Sequence, residues 1–297
     1  MRVLNYGSAN LDYVFMVDHI AAPGETISSR RRELCPGGKG LNQSIALARA
    51  GAEVYHAGTI GKDGAFLEQA LREAGVDTRY LRQADDPTGN AIIQVDVKGQ
   101  NSIVLYAGSN QLQTIDAVRR AVSAFGSGDL MLLQNEINLV DVLIDLAYER
   151  GMKIALNPSP YNAAIEACDL SKVSTFILNE VEGNQLTGEK EPRGILDVLS
   201  QRYPKASIVL TLGAKGSFYK DQNAEFWNTA YDVKPVDTTA AGDTFTGYFL
   251  AAQMRGMHPK DALRLAAVAA SIAVCRKGAS VSIPVLKEVE DLLAVRG

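Results

Sequence analysis

The sequence predicts an α/β protein of three layers, with helices on both faces of a mostly parallel central sheet and a small β-sheet lid. Short continuous apolar runs alternate with helical patterns after residue 114, as expected of parallel strands covered on both sides. Glycine-rich turns follow several of these runs. Two further β-like runs, at 91–97 and 102–106, are joined by Lys98-Gly99-Gln100-Asn101; Gly and Asn tolerate positive φ, so the pair reads as an antiparallel hairpin outside the alternating pattern.

In chain order, residues 3–6 read as a short buried strand ending at Gly7, and 26–34 as an extended segment before Pro36-Gly37-Gly38-Lys39-Gly40. Leu41, Ile45 and Ala48 recur at helical spacing up to Gly51. A strand at 53–57 and a helix at 65–73 precede the hairpin. Then follow helix 114–124, strand 130–133, helix 138–150, and strands 153–156, 175–178 and 207–211, with a short strand at 217–219 and two final helices over 240–255 and 259–276. No repeat, low-complexity tract or Pro- or Ser-rich linker divides the 297 residues. Residues 1–297 are therefore read as one domain, with the lid formed around 12–35 and 88–107. In such a sheet, sites lie outside the carboxyl ends of the strands.

Composition narrows the partners. Lys and Arg total 30 against 34 Asp and Glu, for a net charge of -4, so nucleic acid and anionic membrane are not expected to bind. The N-terminus lacks a signal-peptide pattern, and no stretch approaches ~18 uninterrupted apolar residues. Cys35, Cys168 and Cys275 are odd in number and widely separated, which fits a reducing cytoplasm. His19, His56 and His258 are isolated and suggest no metal cluster.

Five polar clusters carry the chemistry. Asp237-Thr238-Thr239-Ala240-Ala241-Gly242-Asp243 precedes an apolar helix; its small residues let backbone N–H groups converge on an anion at a helix N-terminus. Asp243, in the first turn, is placed to accept the proton of an attacking hydroxyl, with helix capping as the alternative. Gly37-Gly38-Lys39-Gly40-Leu41-Asn42-Gln43 offers bare backbone, an amine and amides to the hydroxyls of a polyol, or forms an ordinary turn. It lacks the spacing of a Walker loop.

Asn10 and Asp12 share a side of an extended chain. Asn179 and Glu182 suit either organisation of water about Mg²⁺ or an N-cap, while Glu136 and Asn157 stand at strand ends. Thr211, Gly213, Ala214 and Gly216 permit close backbone approach to a nucleotide or a hairpin.

Together these motifs resemble the ribokinase family, also called the PfkB carbohydrate kinases, from about Asn5 to Pro284, and most closely the ribokinases within it. The resemblance implies a ribokinase-like fold and transfer of the ATP γ-phosphoryl group to a primary hydroxyl of a pentose, D-ribose giving ribose 5-phosphate. The alternative within the family is another sugar, a sugar phosphate or a nucleoside.

It assigns Asp243 as base, Ala240, Ala241 and Gly242 as anion hole, and Asn10, Asp12, Gly38, Lys39, Asn42, Glu136 and Asp243 as sugar contacts. ATP would meet Asn179, Thr211, Gly213, Ala214, Gly216 and Gly242. Glu182 would serve Mg²⁺, and Asp237, Thr239, Ala273, Arg276, Gly278 and Ser282 an activating K⁺. A homodimer through the lid is also implied.

Leu41, Cys35 and Pro36 depart from the family pattern, and a larger residue at 41 would change which polyol fits. Ala267 stands where some ribokinases carry a polar residue beside adenine. Two other classes compete. A dinucleotide-dependent oxidoreductase lacks its GxGxxG after the first strand, and a non-catalytic sugar sensor has no need of Asp243 and Gly242.

Overall fold

The computed structural model describes residues 1–296. Its first half runs β1 (Val3–Tyr6), β2 (Asn10–Met16), β3 (Arg31–Gly37), α1 (Lys39–Arg49), β4 (Val54–Ile60), α2 (Ala65–Glu73), β5 (Asp77–Gln83), β6 (Gly89–Val95), β7 (Asn101–Tyr106) and α3 (Ile115–Ser123). Next come β8 (Leu130–Gln134), α4 (Val140–Glu149), β9 (Lys153–Asn157), α5 (Ala163–Glu166), β10 (Thr175–Asn179), α6 (Glu180–Thr187) and α7 (Pro192–Arg202). The chain closes with β11 (Ser207–Thr211), β12 (Ser217–Lys220), β13 (Glu225–Asn228), α8 (Ala241–Met254), α9 (Pro259–Ala273) and α10 (Leu286–Arg296).

Nine strands form the central sheet in the order β13-β12-β11-β10-β9-β8-β1-β4-β5. The stretch from β11 to β5 is parallel, and β12 and β13 add an antiparallel edge. Because successive strand residues point to opposite faces, each apolar run feeds two cores. Val3, Leu130, Leu132, Ile177 and Val209 pack with α1, α2, α8 and α9. Leu4, Met131, Leu133, Phe176, Leu178, Ile208 and Leu210 pack with α3, α4 and α7 on the other face. The three-layer architecture thus follows from uninterrupted Val, Ile and Leu runs.

A separate four-stranded sheet, β3-β2-β6-β7, forms the lid. Its hairpin turns at Gly99, φ 79°, where Asp96 accepts hydrogen bonds from the Lys98 and Gln100 amides. The chain passes from β1 into the lid between Gly7 and Asn10, and returns from β3 into α1 at Gly38. Both crossings flank the same spot. A β-carbon on Gly40 would lie 2.4 Å from the Ser8 backbone nitrogen, so α1 can start there only with glycine. Likewise a β-carbon on Gly247 would meet that of Ala46 at 2.4 Å; its absence sets how closely α8 approaches α1.

Several boundaries differ from the sequence reading. The segment 26–34 is extended as a strand only from Arg31, because Pro23 and Gly24 bend the preceding chain and pairing starts where the Arg30 amide meets the Met16 carbonyl. The last expected helix ends at Ala273 rather than 276, where Arg276 folds its amide back onto the Ala273 carbonyl and Gly278 takes φ 88°. A third helix, α10, follows it. Leu41 is fully buried in the core beneath α1 and does not face the polar cluster, which removes the expected influence of its size on the polyol. Among the described residues, no helix is long and apolar enough to cross a membrane.

Candidate active site

The carboxyl ends of β8, β9, β10 and β11 deliver Gln134, Asn157, Asn179 and Thr211 to one edge of the sheet, with the N-termini of α1 and α8 facing them. Two cavities open there. One, of ≈ 240 Å³, is polar and lined by Lys39, Asn157, Asn179, Glu182, Thr211 and Asp243 among others. The other, of ≈ 420 Å³, is lined by Gly213, Ala214, Gly216, Tyr231, Val233, Phe245, Ala267 and Ala270 among others. They share a rim of Thr211, Thr238, Ala241 and Gly242.

Asp243 stands at the floor of the polar cavity, 9% exposed. Asn42 Nδ2 donates to its Oδ2 at 3.0 Å and Gln43 Nε2 to its Oδ1 at 2.9 Å. A buried carboxylate needs such donors. The capping alternative for Asp243 fails: no side chain caps α8, and Asp243 points instead at α1. Lys39 lies across the cavity. Burial works against its ammonium, but the carboxylates of Asp243, Glu136 and Glu182 outweigh that, so its pKa stands above the ordinary lysine value.

At the head of α8, Ala240 adopts φ 59°, a left-handed conformation that costs about 1–2 kcal/mol in a residue with a β-carbon. The Ala241 N–H turns back to the Thr238 carbonyl at 3.2 Å. Gly242 and Asp243 follow in the first turn, where backbone N–H groups have no intrahelical acceptor. Donors, positive helix end and bare glycine therefore meet at the shared rim.

On the lid side, Asn10 and Asp12 both lie on β2. Asn10 Oδ1 accepts from Asn110 Nδ2 at 2.7 Å, and Gly38 brings its backbone against that of Asn10. Asp12 covers Gly37, whose β-carbon would collide with its carboxylate. Burial, with Glu136 as a second cause, pushes the Asp12 carboxyl up to about 7. Glu136 Oε2 accepts from Ser8 Oγ at 2.5 Å and from the Lys39 amide at 3.0 Å. The seven expected sugar contacts are thus linked by direct contact or charge into one cluster that ends at Asp243.

Asn179 caps α6. Its side chain accepts from the Val181 and Glu182 amides, and Glu182 accepts from the Asn179 amide at 3.0 Å. Glu182 is nonetheless a cavity-lining carboxylate, so cap and site are the same group. Gly213 and Gly216 take φ 54° and 123°, and a β-carbon on Gly216 would strike the Asn228 carbonyl. With Ala214 and Ala267 they line the larger cavity.

Asp237 accepts from the Thr239 and Gly278 amides at 2.9 Å each. Burial opposes its ionisation, and these hydrogen bonds outweigh it, so the carboxyl stays below its ordinary value. Ala273 and Ser282 are buried beside this loop. Arg276 turns its side chain away, to Glu288 at 2.5 Å.

Sequence reasoning passed over Ser8, Asn110 and Gln134, which are single polar residues in apolar or loop surroundings and carry no local signal. Gln43 was visible within its motif but had no assigned partner.

With this geometry in place, comparisons with known proteins agree on one family. The pattern described as "pfkB family carbohydrate kinase" matches residues 2–286. The chain is 34% identical to the ribokinase of Haemophilus influenzae, over 97% of its own length and 96% of the relative's. It superposes on the crystal structure of ribokinase from Cryptococcus neoformans in complex with ADP with TM-score 0.87, 36% identity and coverage of 98% and 99%. The structure of Arabidopsis thaliana ribokinase complexed with ribose and ATP matches with TM-score 0.86, 30% identity and 98% coverage of each chain. This chain belongs to the pfkB family of carbohydrate kinases.

Proposed function

We propose that the protein is an ATP-dependent ribokinase, which converts D-ribose to ribose 5-phosphate. The observation that carries this reading is the Asp243 carboxylate, held by Asn42 and Gln43 beside the uncapped N-terminus of α8 where the two cavities meet. The full-length similarity to ribokinases supports ribose as the acceptor.

In this reading the larger cavity takes the base and ribose of ATP between the 213–216 loop and Ala267, and the phosphates reach the shared rim. Ribose lies between β2 and Asp243, with Asn10, Asp12, Gly38, Lys39, Asn42 and Glu136 as its partners. Asp243 accepts the proton of the 5-hydroxyl as that oxygen forms a bond to the γ-phosphorus; the bridging P–O bond breaks and ADP leaves. The backbone N–H groups of α8 offset charge on the transferred group. Positioning and electrostatics carry the rate, and the lid excludes water.

The oxygen-only donors Glu182 and Asn179 fit a hard divalent ion held mainly through water and the nucleotide phosphates; Mg²⁺ there would neutralise phosphate charge. Asp237, its carboxyl held below the ordinary value and fixed at both oxygens by backbone amides, is the anionic residue assigned to K⁺ in this reading.

Four outcomes are expected. Asp243→Asn lowers kcat by about a hundredfold or more while ribose affinity by calorimetry holds; near-wild-type turnover in a coupled ADP assay removes the base assignment.

The second concerns pH. Asp12 has a raised folded-state value, so the folded protein binds more protons there than the unfolded chain between the ordinary carboxylate value and about 7. Its contribution to stability therefore declines as pH rises across that window. Sugar hydroxyls donate best to the ionised form, so the ribose KM should fall as pH passes upward through about 7. A KM profile identical in wild type and Asp12→Asn would contradict this.

Third, K⁺ should stimulate turnover above a tetramethylammonium control, and Asp237→Ala should lose the stimulation; equal rates in both salts count against the site.

Last, β7 exposes Ile103, Val104, Leu105 and Tyr106, each more than half exposed, on an edge strand of the lid. We assign this edge strand to a homodimer. Sedimentation should give a dimer for wild type and a monomer for Val104→Lys, and a monomeric wild type rejects it.

A further inference from the structure

Beneath Asp243, a run of buried amides continues from Gln43 to residues that the proposed reaction does not use. Gln43 Nε2 donates to Asp243 Oδ1 at 2.9 Å and to Asn157 Oδ1 at 3.2 Å, while its Oε1 accepts from Gln134 Nε2 at 2.6 Å. Gln134 Nε2 also donates to Asn5 Oδ1 at 3.1 Å. Asn5 Nδ2 in turn donates to the Gly40 carbonyl and to Ser44 Oγ, both at 2.8 Å. Gln43, Gln134, Asn5 and Ser44 are all fully buried.

The orientation of each amide follows from two fixed ends. A backbone carbonyl only accepts, so the Gly40 carbonyl obliges Asn5 to present Nδ2 to it and Oδ1 to Gln134. Gln134 must then donate, and Gln43 must offer Oε1 to Gln134, leaving Nε2 for Asp243. From the opposite side, Asn157 Nδ2 donates to the Ile177 carbonyl at 2.9 Å, which leaves Asn157 Oδ1 to accept from Gln43. Both routes impose one orientation. Turned over, Gln43 would face the carboxylate with an acceptor.

Resting on the reading of Asp243 as base, we propose that Gln43 is a positioning residue for the reaction, whose amide is locked by Gln134, Asn5 and Asn157 so that its N–H holds the Asp243 carboxylate in one rotamer. Asn42 supplies the second donor. Lys39 is the cation facing Asp243 from α1, and Glu182 lines the same cavity from α6.

Two near-isosteric variants test it. Gln43→Met keeps the length and removes the amide; Gln43→Glu replaces the donor with a second carboxyl that can still accept from Gln134. The readouts are the acid limb of the kcat–pH profile, with whichever acceptor wild type turns over, and the ¹³C titration of the Asp243 carboxyl, assigned by its loss in Asp243→Asn. Loss of one charge-assisted hydrogen bond should move both midpoints upward by about one pH unit in Gln43→Met. Gln43→Glu should move them further, because two carboxyls then share a site.

The acceptor KM should change less than kcat. A residue serving only packing would lower activity or stability without moving either midpoint, and that result overturns the proposal. Failure of the functional reading is distinct: turnover then survives Asp243→Asn, whereas the carboxyl titration still reports whether Gln43 shifts it. Should Gln43→Met not fold, Gln43→Glu carries the same comparison.

Discussion

The site depends on bringing one carboxylate out of water without leaving it alone. Asp243 is nearly buried at the start of α8, and isolated burial of such a charge would cost several kcal/mol or neutralise it. Asn42 and Gln43, successive residues of α1, supply a donor to each oxygen. That arrangement requires α1 and α8 to approach closely, which the bare Cα of Gly247 permits against Ala46. Lys39, on the same helix, adds the opposing charge. One helix pair thus sets the buried carboxylate, its donors and the opposing charge together.

Two helix starts at the same sheet edge show opposite solutions to one problem. The first turn of every helix leaves backbone N–H groups without partners. In α6 the side chains of Asn179 and Glu182 satisfy them reciprocally. In α8 no side chain does, and the preceding alanine accepts a left-handed conformation to open the turn. A helix start left uncapped at the rim of a cavity retains its attraction for an anion.

Much of this was legible in the residues. The largely apolar runs at 130–133, 175–178 and 207–211 announce buried parallel strands, because they are too short for a helix and are bounded by turns. The 237–243 and 37–43 stretches stand out through small residues beside charged ones, and the structure brings Lys39, Asn42, Gln43 and Asp243 together. Other elements stayed hidden. β5, Asp77–Gln83, mixes charges with Tyr80 and Leu81 as an edge strand should, and α7 and α10 carry ordinary amphipathic patterns without a motif to flag them. Ser8, Asn110 and Gln134 meet Glu136, Asn10 and Asn5, partners far from them along the chain. Leu41 was misread for the same reason: neighbours in sequence faced the site, and the helix turned this one to the core.

The two sheets divide the labour of the site. Asn10 and Asp12 stand on β2, which pairs with β3 and β6 of the small sheet, whereas Asp243 and its amide donors stand on helices packed over the large one. Changes in the small sheet can reshape the Asn10 and Asp12 end of the polar cluster while leaving Asp243 and its amide donors undisturbed. A scaffold divided this way allows acceptor choice to drift over evolutionary time around an unchanged reaction.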